Sequence, residues 1–155
     1  MRIQLIAVGQ KMPAWVQTGW QDYCQRLPKS FQLQLIEIPL AKRHSRSPIQ
    51  PLIQQEGTAI TQAIPSSAYV MALDQRGQSL TSEQLARKIE TMQLTHSQLA
   101  LLVGGPDGLA PDCLTQADFI WSLSPLTLPH PLVRLVVAET IYRSWSILQR
   151  HPYHR

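Results

Sequence analysis

Five short hydrophobic runs divide the chain into segments. They occupy residues 2–8, 33–38, 68–73, 99–103 and 119–123. Each run is an almost unbroken aliphatic stretch, whereas a strand with one solvent-facing side alternates apolar and polar residues. We therefore predict five strands that are covered on both faces, in an α/β sandwich with a mostly parallel sheet.

Helical spacing separates several of these runs. Apolar residues recur every three or four positions between residues 12 and 27, after Pro13 and before Pro28. Proline is favoured in the first turn of a helix and ends a helix that reaches it, so this pattern predicts a helix. Another helix is expected to begin near Pro111 and Asp112.

A third helix has the clearest start signal in the chain. Thr81 is placed as its N-cap, and Gln84, three residues later, is the expected capping-box partner. Leu80 and Leu85 flank this pair and can pack together as a hydrophobic staple. Strands and helices therefore alternate along the chain, as in a single α/β domain spanning residues 1–155.

The last predicted helix, residues 131–148, is apolar on more than one side. Its apolar positions are Leu132, Val133, Leu135, Val136, Val137, Ile141, Tyr142, Trp145 and Leu148. One buried stripe is enough for a helix in a small α/β domain, so the extra apolar surface implies either unusually deep burial or a partner surface, and we expect a homodimer as the economical choice. Glu139 and Arg143 are spaced i,i+4 and are expected to form only a surface ion pair.

Composition narrows the class of protein. A length of 155 residues corresponds to one domain, and 44% hydrophobic against 15% charged residues excludes a disordered chain. Lys and Arg number 14 against 10 Asp and Glu, and this net charge of +4 mildly favours an acidic partner such as RNA. Cys24 and Cys113 form no metal-ligand spacing. With no signal-peptide pattern or membrane span, we expect a cytoplasmic protein with buried free thiols.

A basic segment lies at residues 40–51, where Lys42, Arg43, His44 and Arg46 stand among serines and prolines. Its simplest interpretation is a solvated, mobile loop. The functional alternative is a loop that contacts RNA phosphates through its clustered charge. The sequence leaves both interpretations open.

Two loops that follow predicted strands are candidates for ligand binding. Residues 104–108 read Gly-Gly-Pro-Asp-Gly, and residues 123–131 hold three prolines, with Leu126 and Leu128 as possible apolar walls for a flat heteroaromatic ring. Open α/β sheets bind ligands beyond the carboxyl ends of their strands. The alternatives are a plain turn for the first loop and a buried connector for the second. His130 can equally be structural or catalytic.

The last six residues, Arg-His-Pro-Tyr-His-Arg at 150–155, combine groups suited to proton transfer, stacking and phosphate binding. A frayed tail is the ordinary expectation at a chain end. The same side chains match what modification of an RNA base requires.

Several segments together resemble the RlmH family of SPOUT-class methyltransferases, which act on pseudouridine in large-subunit ribosomal RNA. The strongest matches are Leu-Val-Gly-Gly-Pro-Asp-Gly-Leu at 102–109 and Trp-Ser-Leu-Ser-Pro-Leu-Thr-Leu-Pro-His-Pro-Leu-Val-Arg at 121–134. Segments 4–9, 11–13, 36–39 and 151–155 fit the same family, so the resemblance covers essentially the whole chain. One departure is Asp107, where family members often carry glutamate.

The resemblance implies a SPOUT-type α/β fold with a C-terminal trefoil knot, a homodimer, and S-adenosylmethionine as methyl donor without a metal. Carried over by motif, the donor contacts fall on Leu73, Gly104, Leu123, Ser124, Pro125, Leu126, Thr127 and Leu128. The expected reaction is methyl transfer to N3 of a pseudouridine in 23S ribosomal RNA within the assembled ribosome.

For the catalytic residues we hypothesise that the tail of one subunit completes the site of the other. In this arrangement His154 is a possible base, Tyr153 packs on the nucleotide and Arg155 holds a phosphate, with Arg134 as a lesser candidate. The alternatives are a SPOUT methyltransferase acting on tRNA or another rRNA nucleotide, and a non-catalytic α/β ligand-binding module. A nucleotide hydrolase is disfavoured, because no Walker lysine or carboxylate pair lies near the glycine loop.

Overall fold

The predicted strands form one parallel sheet, and helices cover both of its faces. The computed structural model describes every residue from Met1 to Arg155. In chain order the elements are β1 (Arg2–Val8), α1 (Ala14–Arg26), β2 (Gln32–Ile38), α2 (Ile49–Ala63), β3 (Tyr69–Ser79), α3 (Ser82–Gln93), β4 (Gln98–Val103), α4 (Pro111–Thr115), β5 (Phe119–Ser122), α5 (His130–Leu148) and a short 3₁₀ helix (Pro152–His154). The strand order is β2-β1-β4-β3-β5. The predicted α/β class is therefore confirmed.

Two hydrophobic cores lie on opposite faces of the sheet. Because side chains alternate along a strand, Ile3 and Leu5 of β1 face one core, while Ile6 and Val8 face the other. The first core packs against α1, α3 and α5, and the second packs against α2 and α4. Burial on both faces explains why the strands read as unbroken aliphatic runs.

Strand β3 continues past Leu73, where its predicted run ends, through a bulge. Trp121 of β5 pairs with both Leu73 and Gln78, so residues 74–77 form an extra segment toward the carboxyl end of β3. A Cβ on Gly77 would lie 2.7 Å from backbone atoms of β5, and only glycine allows this close approach. The polar side chains of the bulge conceal the continuation of the strand in the sequence.

Helix α2 is absent from the sequence prediction, and the predicted loop at residues 40–51 overlaps its first turn. Pro51 lies in that turn, where the missing backbone N–H breaks no helical hydrogen bond. Ile53 and Ile60 are buried in the second core, and they hold the helix against the sheet. Pro51 and the glutamines of α2 therefore make its short apolar stripe hard to recognise in the sequence.

The predicted helix starts near Pro13, Thr81 and Pro111 are confirmed. At the start of α3, the Thr81 backbone N–H donates to the Gln84 side-chain oxygen at 2.8 Å, and the Gln84 N–H donates to the Thr81 hydroxyl at 3.2 Å. This is the reciprocal capping box that the spacing predicts.

Helix α5 spans the predicted residues and begins one residue earlier, at His130. It packs against α1 and α3, and Leu132 near its start is exposed. The homodimer and the trefoil knot stay predictions. No helix, α5 included, combines the length and hydropathy needed to span a bilayer.

Both cysteines are free thiols. Cys113 is buried, as expected, whereas Cys24 is only half-buried, because it lies at the margin of the first core. Burial raises the pKa of Cys24 to about 11 and also raises the pKa of Cys113. Both groups therefore stay protonated at neutral pH.

Candidate functional site

A cavity of about 410 Å³ opens at the carboxyl ends of three strands. Its walls are the β3 bulge, the glycine turn (residues 104–108) after β4, and the proline loop (residues 123–129) after β5. We call it the carboxyl-end cavity. Its position is the one that ligands occupy in open parallel α/β sheets, and its volume falls within the range of small-molecule sites.

The glycine turn forms a wall made of backbone. The Gly108 N–H donates to the Gly105 carbonyl oxygen at 3.0 Å, and the two residues form an isolated antiparallel bridge. A Cβ on Gly104 would overlap the Gly108 carbonyl, so the turn can fold back on itself only when residue 104 is glycine. The wall therefore presents amide and carbonyl groups to the cavity.

The β3 bulge supplies a polar wall that sequence reasoning missed. Asp74 accepts hydrogen bonds from the Arg76 backbone N–H at 2.9 Å and from its guanidinium at 2.8 and 2.9 Å. These bonds lower the pKa of Asp74, so its carboxylate stays ionised. The Gln75 amide donates to the Thr127 hydroxyl at 2.8 Å and joins this wall to the proline loop. The polar run directly after the third strand was the available signal.

The proline loop is held in shape by short-range hydrogen bonds. The Leu126 backbone N–H donates to the Ser124 hydroxyl at 2.9 Å, and the Ser122 hydroxyl donates to the Ser124 carbonyl at 3.2 Å. Leu126 is 72% exposed at the mouth of the cavity. An exposed leucine beside ordered backbone provides an apolar surface for a flat ring.

The structure brings most of the predicted donor-contact residues together. Those that line the carboxyl-end cavity are Leu73, Gly104, Leu123, Ser124, Leu126, Thr127 and Leu128. Pro125 belongs to the same loop but is not part of the lining, and its exposed ring stiffens the loop from outside. His130 and Asp107 also line the cavity.

The C-terminal residues lie elsewhere in the subunit. None of residues 150–155 lines the carboxyl-end cavity, and the tail instead folds back along α5 as a 3₁₀ helix. The Tyr153 ring packs edge-on against Tyr142 with 4.6 Å between centroids, and its hydroxyl donates to the Glu139 carboxylate at 3.2 Å. The tail is therefore a docked element and not a frayed end.

Tyr153 is held in its neutral form. Burial, the nearby Tyr23 hydroxyl and the charge of Glu139 all raise the pKa of Tyr153 well above its usual range. Its phenol is therefore a hydrogen-bond donor at neutral pH and is unsuited to act as a base.

The Glu139–Arg143 pair does more than the predicted surface ion pair. The Arg143 Nε donates to Glu139 at 2.8 Å, both side chains are partly buried, and Arg143 lies 5.2 Å from the Tyr153 ring centroid. The expectation was wrong because the helical spacing gives no sign of the tail that covers the pair. Together these groups hold the tail on α5.

His154 has one ring nitrogen committed. Its Nδ1 lies 3.1 Å from the Ser146 hydroxyl, which also lies 3.2 Å from the His151 carbonyl oxygen. Either atom of this Ser146–Nδ1 contact can donate, according to the His154 tautomer, and Nε2 has no hydrogen-bond partner in the subunit. Arg155 is exposed.

Arg134 is buried away from the carboxyl-end cavity. It is only 2% exposed, and its guanidinium donates to Glu37 and to the Gly9 carbonyl, each at 2.7 Å. These bonds tie the start of α5 to the ends of β1 and β2, beside a smaller cavity of about 280 Å³. Its contacts are those of a structural residue.

The basic segment is partly anchored. Lys42, His44 and Arg46 are exposed, as the solvated-loop interpretation requires. Arg43 departs from it, because it forms ion pairs with Glu56 and Asp107, both at 2.8 Å. No group of three His, Cys, Asp or Glu side chains is arranged to hold a metal ion.

Comparisons with known proteins identify methyltransferases as relatives of this chain. A family profile described as "Predicted SPOUT methyltransferase" matches residues 1–154. Proteins named "Ribosomal RNA large subunit methyltransferase H" are 51% identical in Hahella chejuensis, 49% in Marinomonas sp. and 48% in Thioalkalivibrio sulfidiphilus. Each alignment covers 100% of this chain and 99%, 100% and 99% of the relative, respectively.

A solved structure described as a probable methylase family protein from Haemophilus influenzae Rd KW20 shares the fold, with a TM-score of 0.55 at 13% identity. The match covers 99% of this chain and 70% of the other. At 13% identity this structure supports only the fold, whereas the family profile and the alignments over the whole chain show the family. The chain belongs to the RlmH family of SPOUT methyltransferases.

Proposed function

We propose that this protein transfers a methyl group from S-adenosylmethionine to N3 of a pseudouridine in large-subunit ribosomal RNA, within the assembled ribosome. The observation that carries the proposal is the carboxyl-end cavity, built by the glycine turn and the proline loop. Full-length identity of about 50% to proteins named for methylation of this RNA supports the substrate class.

The residues of the cavity fit the proposed donor. An adenosine group needs apolar surface for its ring and hydrogen-bonding groups for its edge. Leu126 and Leu128 offer the first, and backbone groups of the glycine turn and the proline loop offer the second. A side chain at residue 104 would disrupt this backbone wall, as its overlap with Gly108 shows.

When bound, S-adenosylmethionine supplies an electrophilic methyl group on a sulfonium that leaves readily. The chain then has two tasks: to hold the nucleotide in line with that methyl group, and to accept the proton of N3. The cavity walls perform the positioning, and a basic nitrogen near the cavity mouth is required for the proton.

The tail provides such a nitrogen, but not to the cavity of its own subunit. His154 is our candidate for the base, while Arg155 would hold a phosphate and Tyr153 would pack on the nucleotide. A homodimer in which each tail reaches the partner's cavity would unite the two parts. Exposed Leu132, near the start of α5, is consistent with a second copy covering this end of the helix.

Two measurements test the proposal. Calorimetry with S-adenosylmethionine and purified protein should show binding, and absence of binding would refute the donor site. Incubation with labelled donor and ribosomes from a strain lacking the enzyme should place label on one pseudouridine, mapped by mass spectrometry.

The same mapping separates the alternatives. Label on tRNA or on another rRNA nucleotide would keep the enzyme class and change the substrate. Donor binding without any transfer would leave a non-catalytic ligand-binding module. Equal activity on naked RNA and on ribosomes would contradict the assembled ribosome as substrate.

A further inference from the structure

The Arg43 guanidinium joins the basic segment to two other parts of the molecule. Its Nη1 donates to the Glu56 carboxylate of α2 at 2.8 Å. Its Nε and Nη2 donate to the Asp107 carboxylate of the glycine turn at 3.0 and 2.8 Å. We call these contacts the Arg43 bridge. They connect a loop at the surface to a wall of the carboxyl-end cavity.

Glu56 is a fixed anchor for this bridge. It is 3% exposed, and its Oε1 also accepts the Ala41 backbone N–H at 2.9 Å. A buried carboxylate requires a cation or several donors, and Arg43 is the cation present here. A Cβ on Gly105 would lie 2.8 Å from Glu56 Oε2, so the glycine turn packs directly on this anchor.

Asp107 lies at the tip of the glycine turn and lines the cavity. Arg43 is the only side chain that donates to its carboxylate. The position of the turn's tip therefore depends on where the Arg43 guanidinium is held.

The neighbours of Arg43 face solvent. Lys42, His44 and Arg46 are exposed and form no ion pair, whereas Arg43 between them forms two. Unpaired cations close to a cavity that would hold a methyl donor for RNA suit the phosphates flanking a target nucleotide.

We propose that the basic segment binds RNA phosphates and that Arg43 is a positioning residue that couples this contact to the glycine turn. The inference rests on the proposed function, and it adds a coupling between RNA binding and donor binding. RNA and methyl donor would each strengthen the binding of the other.

The coupling follows from chain connectivity. Phosphates bound by Lys42 and Arg46 restrict the backbone on both sides of Arg43. A restricted Arg43 holds Asp107, and the donor then meets a turn that is already ordered. By linkage, a donor-filled cavity favours the loop arrangement that binds RNA by the same factor.

The first test is a double-mutant cycle on donor affinity, measured by calorimetry with full-length protein and S-adenosylmethionine. Arg43→Gln and Asp107→Asn should each weaken binding about fivefold, and the double variant should be no weaker than the single variants. Effects that add would mean that Asp107 acts on the donor directly, and this would overturn the bridge. Asp107→Asn leaves the Arg43–Glu56 pair intact, so it tests the bridge even where Arg43→Gln impairs folding.

The second test measures the coupling itself. Saturating ribosomes should tighten donor binding about fivefold in the wild type and leave it unchanged in Asp107→Asn. Lys42→Ala combined with Arg46→Ala should raise the KM for ribosomes and reduce the salt slope of binding by about 2, with donor affinity of the free protein unaltered. Coupling that persists in Asp107→Asn, or a salt slope that stays the same, would overturn the inference.

These outcomes are distinguishable from failure of the proposed function. A wild-type protein that binds no donor refutes the function. A wild-type protein that binds donor and methylates ribosomes, with no interaction between Arg43 and Asp107, refutes only the inference.

Discussion

The carboxyl-end cavity and the C-terminal tail are built in opposite ways. The walls of the cavity come from the β3 bulge, the glycine turn and the proline loop, all of one chain. The tail presents the side chains of Tyr153, His154 and Arg155, packed on α5 and outside that cavity. The difference separates donor binding, which a single subunit can perform, from proton transfer, which on our proposal needs a second subunit. Changes at each region should therefore have separable effects.

The largest effect is expected at the tail. His154→Ala should lower the methylation rate about 10³-fold, within the range for loss of a general base, because His154 accepts the N3 proton on our proposal. Calorimetry should find S-adenosylmethionine affinity unchanged. A rate close to that of the wild type would remove His154 from the mechanism.

Gly104→Ala should act at the carboxyl-end cavity, where it should weaken donor binding. The added Cβ overlaps the Gly108 carbonyl, so the turn must open, and donor affinity should fall about 100-fold, or about 2.7 kcal/mol. Thr81→Ala is a control that loses a capping box outside the cavity lining and costs about 1 kcal/mol of stability. If both variants bind the donor equally, the backbone wall is not the donor site.

Mixing the His154→Ala and Gly104→Ala variants, at a donor concentration that fills the wild-type cavity but not the Gly104→Ala cavity, tests whether the tail acts across subunits. In a heterodimer of His154→Ala and Gly104→Ala, one site combines an intact cavity with an intact tail. Random exchange makes half of the dimers mixed, so activity should recover to about a quarter of the wild type. No recovery after denaturation and joint refolding would show that each tail serves its own subunit.

Arg134→Gln should lower the free energy of unfolding without changing donor binding at the cavity or the reaction step assigned to the tail. It removes a buried cation from Glu37 and from the Gly9 carbonyl, at a cost of about 3 kcal/mol in the free energy of unfolding. Urea denaturation measures this loss. At temperatures where the variant is folded, its donor affinity should match the wild type, and a selective loss of rate would instead indicate a catalytic role.

The smallest effect concerns the Tyr153 phenol. Its pKa is raised, so the folded protein keeps this proton while an unfolded tyrosine loses it near pH 10. Stability from this group is therefore present below about pH 10 and is lost as pH rises further. Ultraviolet titration at 295 nm, compared with Tyr153→Phe, should show one phenol that ionises late. An ordinary titration would mean that the tail is not docked in solution.

The sequence predicts elements whose signals are local. Unbroken aliphatic runs mark buried parallel strands, and Thr81 and Gln84 mark a helix start, because both patterns depend on neighbours within a few residues. Helix α2 escapes prediction because Pro51 and several glutamines obscure its buried stripe. The β3 bulge escapes because polar residues interrupt an otherwise apolar strand.

The site is predictable only in part for a related reason. The glycine turn and the proline loop follow strands directly, so parallel topology alone brings them to one edge of the sheet. The Arg43 bridge joins residues 13 and 64 positions apart, and no periodicity encodes such a pairing. The same holds for the tail, whose contact with Glu139 turns an expected surface pair into an anchor.

The glycine turn lines the pocket with main chain, and a wall of this kind constrains how the pocket can change. Most point mutations alter side chains and leave the positions of backbone amides and carbonyls unchanged. Few single substitutions would therefore weaken the binding of a competitive inhibitor without also weakening the binding of the natural ligand. Drug resistance at this pocket would have to come from replaced glycines or from altered loop lengths, and both would damage the enzyme.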